Sequence, residues 1–177
     1  MQSKCLSVLM AVFLLPFLLA SNPARAEPAI KVEPIDTAGI DKIVKESKGT
    51  VMVVLAAWCF PCRQELPTLV KLYDKYKGQG LEMVGISVDL GGPSMIQPLL
   101  DKAHVNFPVY WAGEKVIWDL NIRGIPLLFL VKDGEIVQEV MGKQSEAFLE
   151  EKISRLLKKP IPPPSGDHEK EPDSELE

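Results

Sequence analysis

Residues 50–67 read TVMVVLAAWCFPCRQELP, and the order of residue types within them decides the fold. Residues 50–57 are a continuous apolar run rich in β-branched side chains, the signature of a strand covered on both faces. Residues 63–77 place Leu66, Leu69, Val70 and Tyr73 on one side at helical spacing, so a helix follows. Pro67 falls inside it and is expected to kink it, having no N–H for the turn behind. Trp58, Cys59, Phe60, Pro61 and Cys62 occupy the junction between strand and helix.

The flanking segments repeat the alternation. Before the strand, Asp36 and Thr37 can cap a helix carrying Ile40, Ile43 and Val44, with Gly49 as its stop. Residues 27–34 contain proline and no long apolar run, and read as a linker or a short edge strand. After the first helix–strand–helix unit, residues 81–88 (LEMVGISV) form a second buried strand. The Gly91-Gly92-Pro93 break leads to a helix over 94–104, then a short strand over 107–110 and a short helix over 114–120. Residues 127–132 and 135–141 flank Asp133-Gly134, a strong hairpin signal. Ser145 caps a last helix running to about residue 158. Alternating helices and strands followed by a hairpin imply an α/β fold: a mixed central sheet flanked by helices on both faces.

Chemistry concentrates at the junction. The thiolate is the reactive form of cysteine, and a helix N-terminus stabilises it with unpaired N–H groups and a partial positive charge. Cys59 falls at the mouth of the helix and Cys62 within its first turn, a spacing at which two sulfurs can bond. Pro61 loses nothing in a first turn, where its missing N–H has no partner anyway, and it stiffens the link between the sulfurs. A zinc site would need four ligands, and His104 and His168 are the only histidines to add to the pair. Redox exchange is therefore expected, with no metal and no cofactor. Trp58 either packs on the sheet or shields Cys59. A peroxidase is disfavoured, because no cysteine outside the C-x-x-C pair stands within the folded part of the chain.

Strand, W-C-x-P-C, kinked helix and the later Gly124-Ile125-Pro126 resemble thioredoxin. The exported TlpA/ResA-like branch, with its cytochrome c maturation thioredoxins, is more similar still, through Cys62-Arg63-Gln64-Glu65-Leu66-Pro67 and Asn106-Phe107-Pro108-Val109. The resemblance covers residues 35–158 and implies a thioredoxin-like fold and a thiol–disulfide oxidoreductase. It implies that Cys59 attacks and Cys62 resolves, with Trp58, Phe60 and Pro61 shaping the site around them. It implies that Pro126 is a cis-proline facing the disulfide, and that the Ile125 backbone pairs with bound substrate. Where thioredoxin buries an aspartate this chain has Val53, so proton transfer to Cys62 falls to Glu65 or to Asp89. Leu127 stands after Pro126, where thioredoxin has a threonine and the cytochrome-maturation members an acidic residue.

The ends of the chain carry a different message. Lys4, an apolar run over residues 6–20 and the small-residue pattern Ala24-Arg25-Ala26 read as a cleaved secretory signal over residues 1–26. That run is shorter than the roughly 20 residues a spanning helix needs, and Pro16 interrupts it. Cleavage removes Cys5 and leaves the Cys59–Cys62 pair in a periplasmic or other extracytoplasmic compartment. Residues 159–177 are Pro-rich and then acidic, a composition that reads as a disordered tail. A net charge of −4 excludes a nucleic-acid function, since phosphate binding needs a concentrated basic surface. The expected protein is a monomer that exchanges disulfides with protein thiol clients, as a reductant supplied by a membrane electron donor and with a place in cytochrome c maturation. A disulfide oxidase or isomerase, and a non-catalytic binding module of the same fold, remain open alternatives.

Overall fold

The computed structural model describes residues 30–158, so the expected signal segment and the expected tail lie outside the described residues. Seven consecutive buried positions make β2 (Gly49–Leu55) the centre of the molecule. It pairs in parallel with β3 (Glu82–Ser87), register Val51 to Met83, and antiparallel with β5 (Leu127–Lys132), register Val51 to Leu130. Both faces of β2 are covered, which is why its sequence is apolar without alternation.

The sheet has six strands in the order β1-β4-β3-β2-β5-β6. β1 (Glu33–Pro34) lies parallel to β4 (Val109–Trp111) at one edge, and β6 (Glu135–Met141) forms the other. Of the two readings of residues 27–34, Glu33 and Pro34 take the edge strand, where Pro34 withholds no bond the sheet needs. Among the described residues, five α-helices flank the sheet: α1 (Thr37–Glu46), α2 (Phe60–Tyr76), α3 (Pro93–Lys102), α4 (Lys115–Asp119) and α5 (Glu146–Leu157). The mixed sheet with flanking helices is the expected thioredoxin-like architecture.

The hairpin is as read. Asp133 and Gly134 both have positive φ (49° and 85°), the conformation in which a two-residue turn matches the strand twist. The tip also reaches across the molecule: the Gly134 N–H donates to the Ser47 carbonyl at 2.9 Å. That contact corrects the reading of Gly49 as a helix stop. Ser47 ends α1, its hydroxyl donating to the Ile43 carbonyl at 2.6 Å, and Gly49 is already the first residue of β2.

Two other expectations shift. Pro93 starts α3, with Gly92 before it at φ 89°, and the helix stops at Lys102, so His104 (φ 51°) lies in the turn beyond. Phe107 is not a strand residue; its buried ring packs edge-on against Tyr73 of α2, centroids 5.7 Å apart, and β4 starts at Val109. Pro67 and Pro98 are accommodated inside α2 and α3. α2 is fastened to α5 by Lys71–Glu146 (2.6 Å), by Lys75–Glu150, and by the Tyr76 hydroxyl donating to Glu150 at 2.8 Å.

Candidate active site

β2 and α2 position the cysteine pair between them. Cys59 is the N-cap of α2, and its Sγ accepts the Cys62 N–H at 3.2 Å. A helix that opens on a sulfur directs its first N–H groups and its positive end at that sulfur, the arrangement that favours a thiolate. Phe60 and Pro61 fill the first two helical positions, so α2 begins earlier than the periodicity of residues 63–77 suggests. Cys59 and Cys62 are joined as a disulfide. Both are buried, while the side chains around them are not: Trp58 is 64% exposed and Phe60 63% exposed. Trp58 is therefore no core residue, and of its two readings the packing one is excluded.

The Ile125–Pro126 bond is cis. β5 pairs Val54 with Leu127, and continuing that register brings Pro126 level with Leu55, just before the loop that carries Cys59. Pro126 is buried, Ile125 partly exposed, and the Pro126 carbonyl accepts the Gly142 N–H at 2.8 Å from the end of β6. Leu127 points into the core.

Two carboxylic acids lie near this end of the sheet. Asp89 follows β3. Its oxygens accept the Ala57 N–H, at 3.1 Å from each, and the Ser87 hydroxyl, at 2.9 Å. The Trp111 indole N–H also donates to the Asp89 carbonyl at 2.6 Å. Asp89 is thus a clamp from β3 onto the backbone leading into the Cys59 loop, and its oxygens are taken up in that clamp. Ser87, the third member of the clamp, carried no signal in the sequence beyond its place in an apolar strand.

Glu65 sits one turn beyond Cys62 on α2, on the buried side with Cys62, Leu66 and Leu69. It is only 1% exposed. Oε1 accepts the Gln144 N–H at 2.7 Å, and Oε2 is buried with no hydrogen-bond partner. Burial holds this carboxyl above the ordinary range of a glutamate, opposed by the Gln144 N–H and by the positive charge of Lys143. A glutamate in an amphipathic helix usually faces water; what singled Glu65 out was the family resemblance of residues 62–67, and its burial is a finding of the structure. Gln144 was not legible, because its contribution is a backbone N–H. Val53, at the position of the thioredoxin aspartate, is fully part of the core. Arg63 is at the surface.

The chain is similar to proteins of known class. Residues 26–140 match the AhpC/TSA family. Thiol-disulfide oxidoreductase ResA of Halalkalibacterium halodurans is 32% identical over 123 residues, covering 68% of this chain and 69% of that protein. ResA of Bacillus anthracis is 29% identical over 134 residues, covering 75% and 77%. Among solved structures, a putative thiol:disulfide interchange protein DsbE from Chlorobium tepidum superposes with a TM-score of 0.57 at 26% identity, over 64% of this chain and 83% of that one.

Proposed function

Because the chain belongs to the AhpC/TSA family and is a thiol–disulfide oxidoreductase of the ResA/DsbE type, we propose that it reduces disulfides of exported proteins, apocytochromes c among them. The observation that carries this reading is the buried Cys59–Cys62 pair at the mouth of α2, with Glu65 one turn further on.

The cycle begins with the reduced pair. The Cys59 thiolate, favoured by the Cys62 N–H and the helix end, attacks one sulfur of a client disulfide, and the other client sulfur leaves as a thiolate. Glu65 in its carboxylate form takes the proton of the Cys62 thiol. The Cys62 thiolate then attacks Cys59, the Cys59–client bond breaks, and the second client sulfur leaves as a thiolate. Protons from Glu65 and solvent complete the two client thiols. The chain is left in the disulfide state, and a dithiol donor on the membrane returns two electrons and two protons to it. The client backbone adds as a short strand at Ile125 and Pro126, the cis-proline segment that leads into β5 beside β2. Trp58, Phe60 and Pro61 give the rim its apolar character.

Residues 1–26 serve as an export signal, so that the mature chain starts at Glu27; sequencing the N-terminus of the exported protein tests this. No helix among the described residues is long and apolar enough to cross a membrane. The protein works as a monomer, which analytical ultracentrifugation of the exported chain tests.

Equilibration with a glutathione or dithiothreitol redox buffer decides the direction. A reductant has a potential below about −220 mV, whereas a value near −120 mV marks an oxidase. Failure of the pair to exchange with any thiol would leave only the binding-module reading.

A further inference from the structure

Residues 142–145 join β6 to α5 and carry hydrogen bonds in two directions. Gly142, at φ 78°, donates its N–H to the Pro126 carbonyl at 2.8 Å. Gln144 donates its N–H to Glu65 Oε1 at 2.7 Å. The side-chain amide of the same Gln144 turns back, Nε2 donating to the carbonyls of Met141 at 3.0 Å and Gly142 at 2.9 Å. Ser145 then caps α5, accepting the Phe148 N–H at 3.3 Å. The side chain of Gln144 therefore staples the loop that aims its own backbone at Glu65. That N–H is the hydrogen-bond partner of a carboxyl whose other oxygen has none.

We propose that Gln144 is a positioning residue for the redox reaction: its side-chain amide shapes the loop that presents the Gln144 N–H to Glu65, and Gly142 ties the same loop to the Pro126 segment at which the client adds. The inference rests on Glu65 serving Cys62, as proposed above. The physical argument is one of selective stabilisation. An N–H donated to a carboxylate favours the charged form, so the loop keeps a buried acid able to ionise and take the Cys62 proton. Lys143 is the charged group that acts on Glu65 from this loop, its ammonium donating to Gln64 Oε1 at 3.2 Å, and Cys62 is the titratable group one turn earlier on α2. A loosened loop displaces the N–H and Lys143 together, and both changes leave the carboxyl harder to ionise.

The test is the pH profile of mixed-disulfide resolution, followed by stopped flow on the full exported chain. Gln144→Met keeps the length of the side chain and removes its donors. Its midpoint should move to higher pH by about half to one unit, the size expected for weakening one hydrogen bond to a charged group. Gly142→Ala, which strains the loop at its other end without meeting any atom within 4 Å, should move it in the same direction. In a Glu65→Gln background Gln144→Met should change nothing further. A shifted profile for Glu65→Gln beside parent-like profiles for Gln144→Met and Gly142→Ala would overturn this proposal alone. A parent-like profile for Glu65→Gln would overturn the role of Glu65, and this proposal with it.

Discussion

Glu65 and Asp89 are carboxylic acids buried to the same extent, 1% exposed each, and the fold treats them in opposite ways. Asp89, just beyond β3, has both oxygens occupied by donors, the Ala57 N–H from the turn after β2 and the Ser87 hydroxyl at the end of β3. Glu65, on α2, has one oxygen on a loop N–H and the other on nothing. Buried polar atoms are almost always satisfied, so an acid that is half satisfied asks for a reason. A clamp needs both oxygens held by donors, whereas a group that passes a proton needs one oxygen ready to carry it. Depth of burial does not separate the two roles; the occupancy of the oxygens does.

The contrast can be broken at several strengths. It matters only if Cys59 leads the exchange and Cys62 follows. Cys59→Ser should cut reduction of a protein disulfide by at least about 10³-fold, the scale seen when a nucleophile is removed. Cys62→Ser should instead accumulate mixed disulfides, visible by mass spectrometry after alkylation. Equal trapping by the two variants would leave Glu65 with no step to serve.

Next in size is Glu65→Gln, expected to slow resolution about 10²-fold at neutral pH and to flatten its pH dependence, the usual scale of a general base. Asp89→Ala should act on stability, costing about 3 kcal/mol in urea unfolding because the Ala57 N–H and the Ser87 hydroxyl lose their acceptor. Asp89→Asn, which keeps an acceptor, should cost less and leave the pH profile of exchange where it was. A profile displaced by Asp89→Asn as by Glu65→Gln would erase the distinction.

A gentler test uses stability against pH. The Glu65 carboxyl titrates above its ordinary 4.5 in the folded protein because burial disfavours its charge. The unfolded chain then binds fewer protons than the folded one between those two values. The contribution of Glu65 is intact below about 4.5 and is lost as pH rises through the folded value. Glu65→Gln should therefore be more stable than the parent in neutral solution, with the two converging in acid. Identical stability at every pH would mean that Glu65 ionises as freely as in water. The smallest effect belongs to the exposed ion pair between α2 and α5: Lys71→Ala should shift stability by no more than about 0.5 kcal/mol.

Much of this site is legible in the sequence, and the particular residues show why. β2 announced itself through unbroken β-branched residues, and the hairpin through Asp133-Gly134. Cys59 and Cys62 declared themselves by their spacing at a strand–helix junction. Errors fell where a residue answers to a distant neighbour. Gly49 looked like a helix stop because glycine often is one, yet it enters β2 at a point where a Cβ would stand 3.3 Å from Leu157. Phe107 looked like a strand residue, and Tyr73 of α2 draws it into the core instead.

The amino-acid order by itself determined the alternation of elements and the redox pair, because each depends on bonds and spacings within a few residues. What became of the two acids was decided only by tertiary structure. Asp89 meets Ala57 across 32 positions of sequence, and Glu65 meets Gln144 across 79. Hydrogen bonds of that range exist only once the sheet has set its register and the β6–α5 loop has closed over α2. Composition and periodicity report which residues avoid water; they do not report which donor will be waiting where a carboxylate is buried.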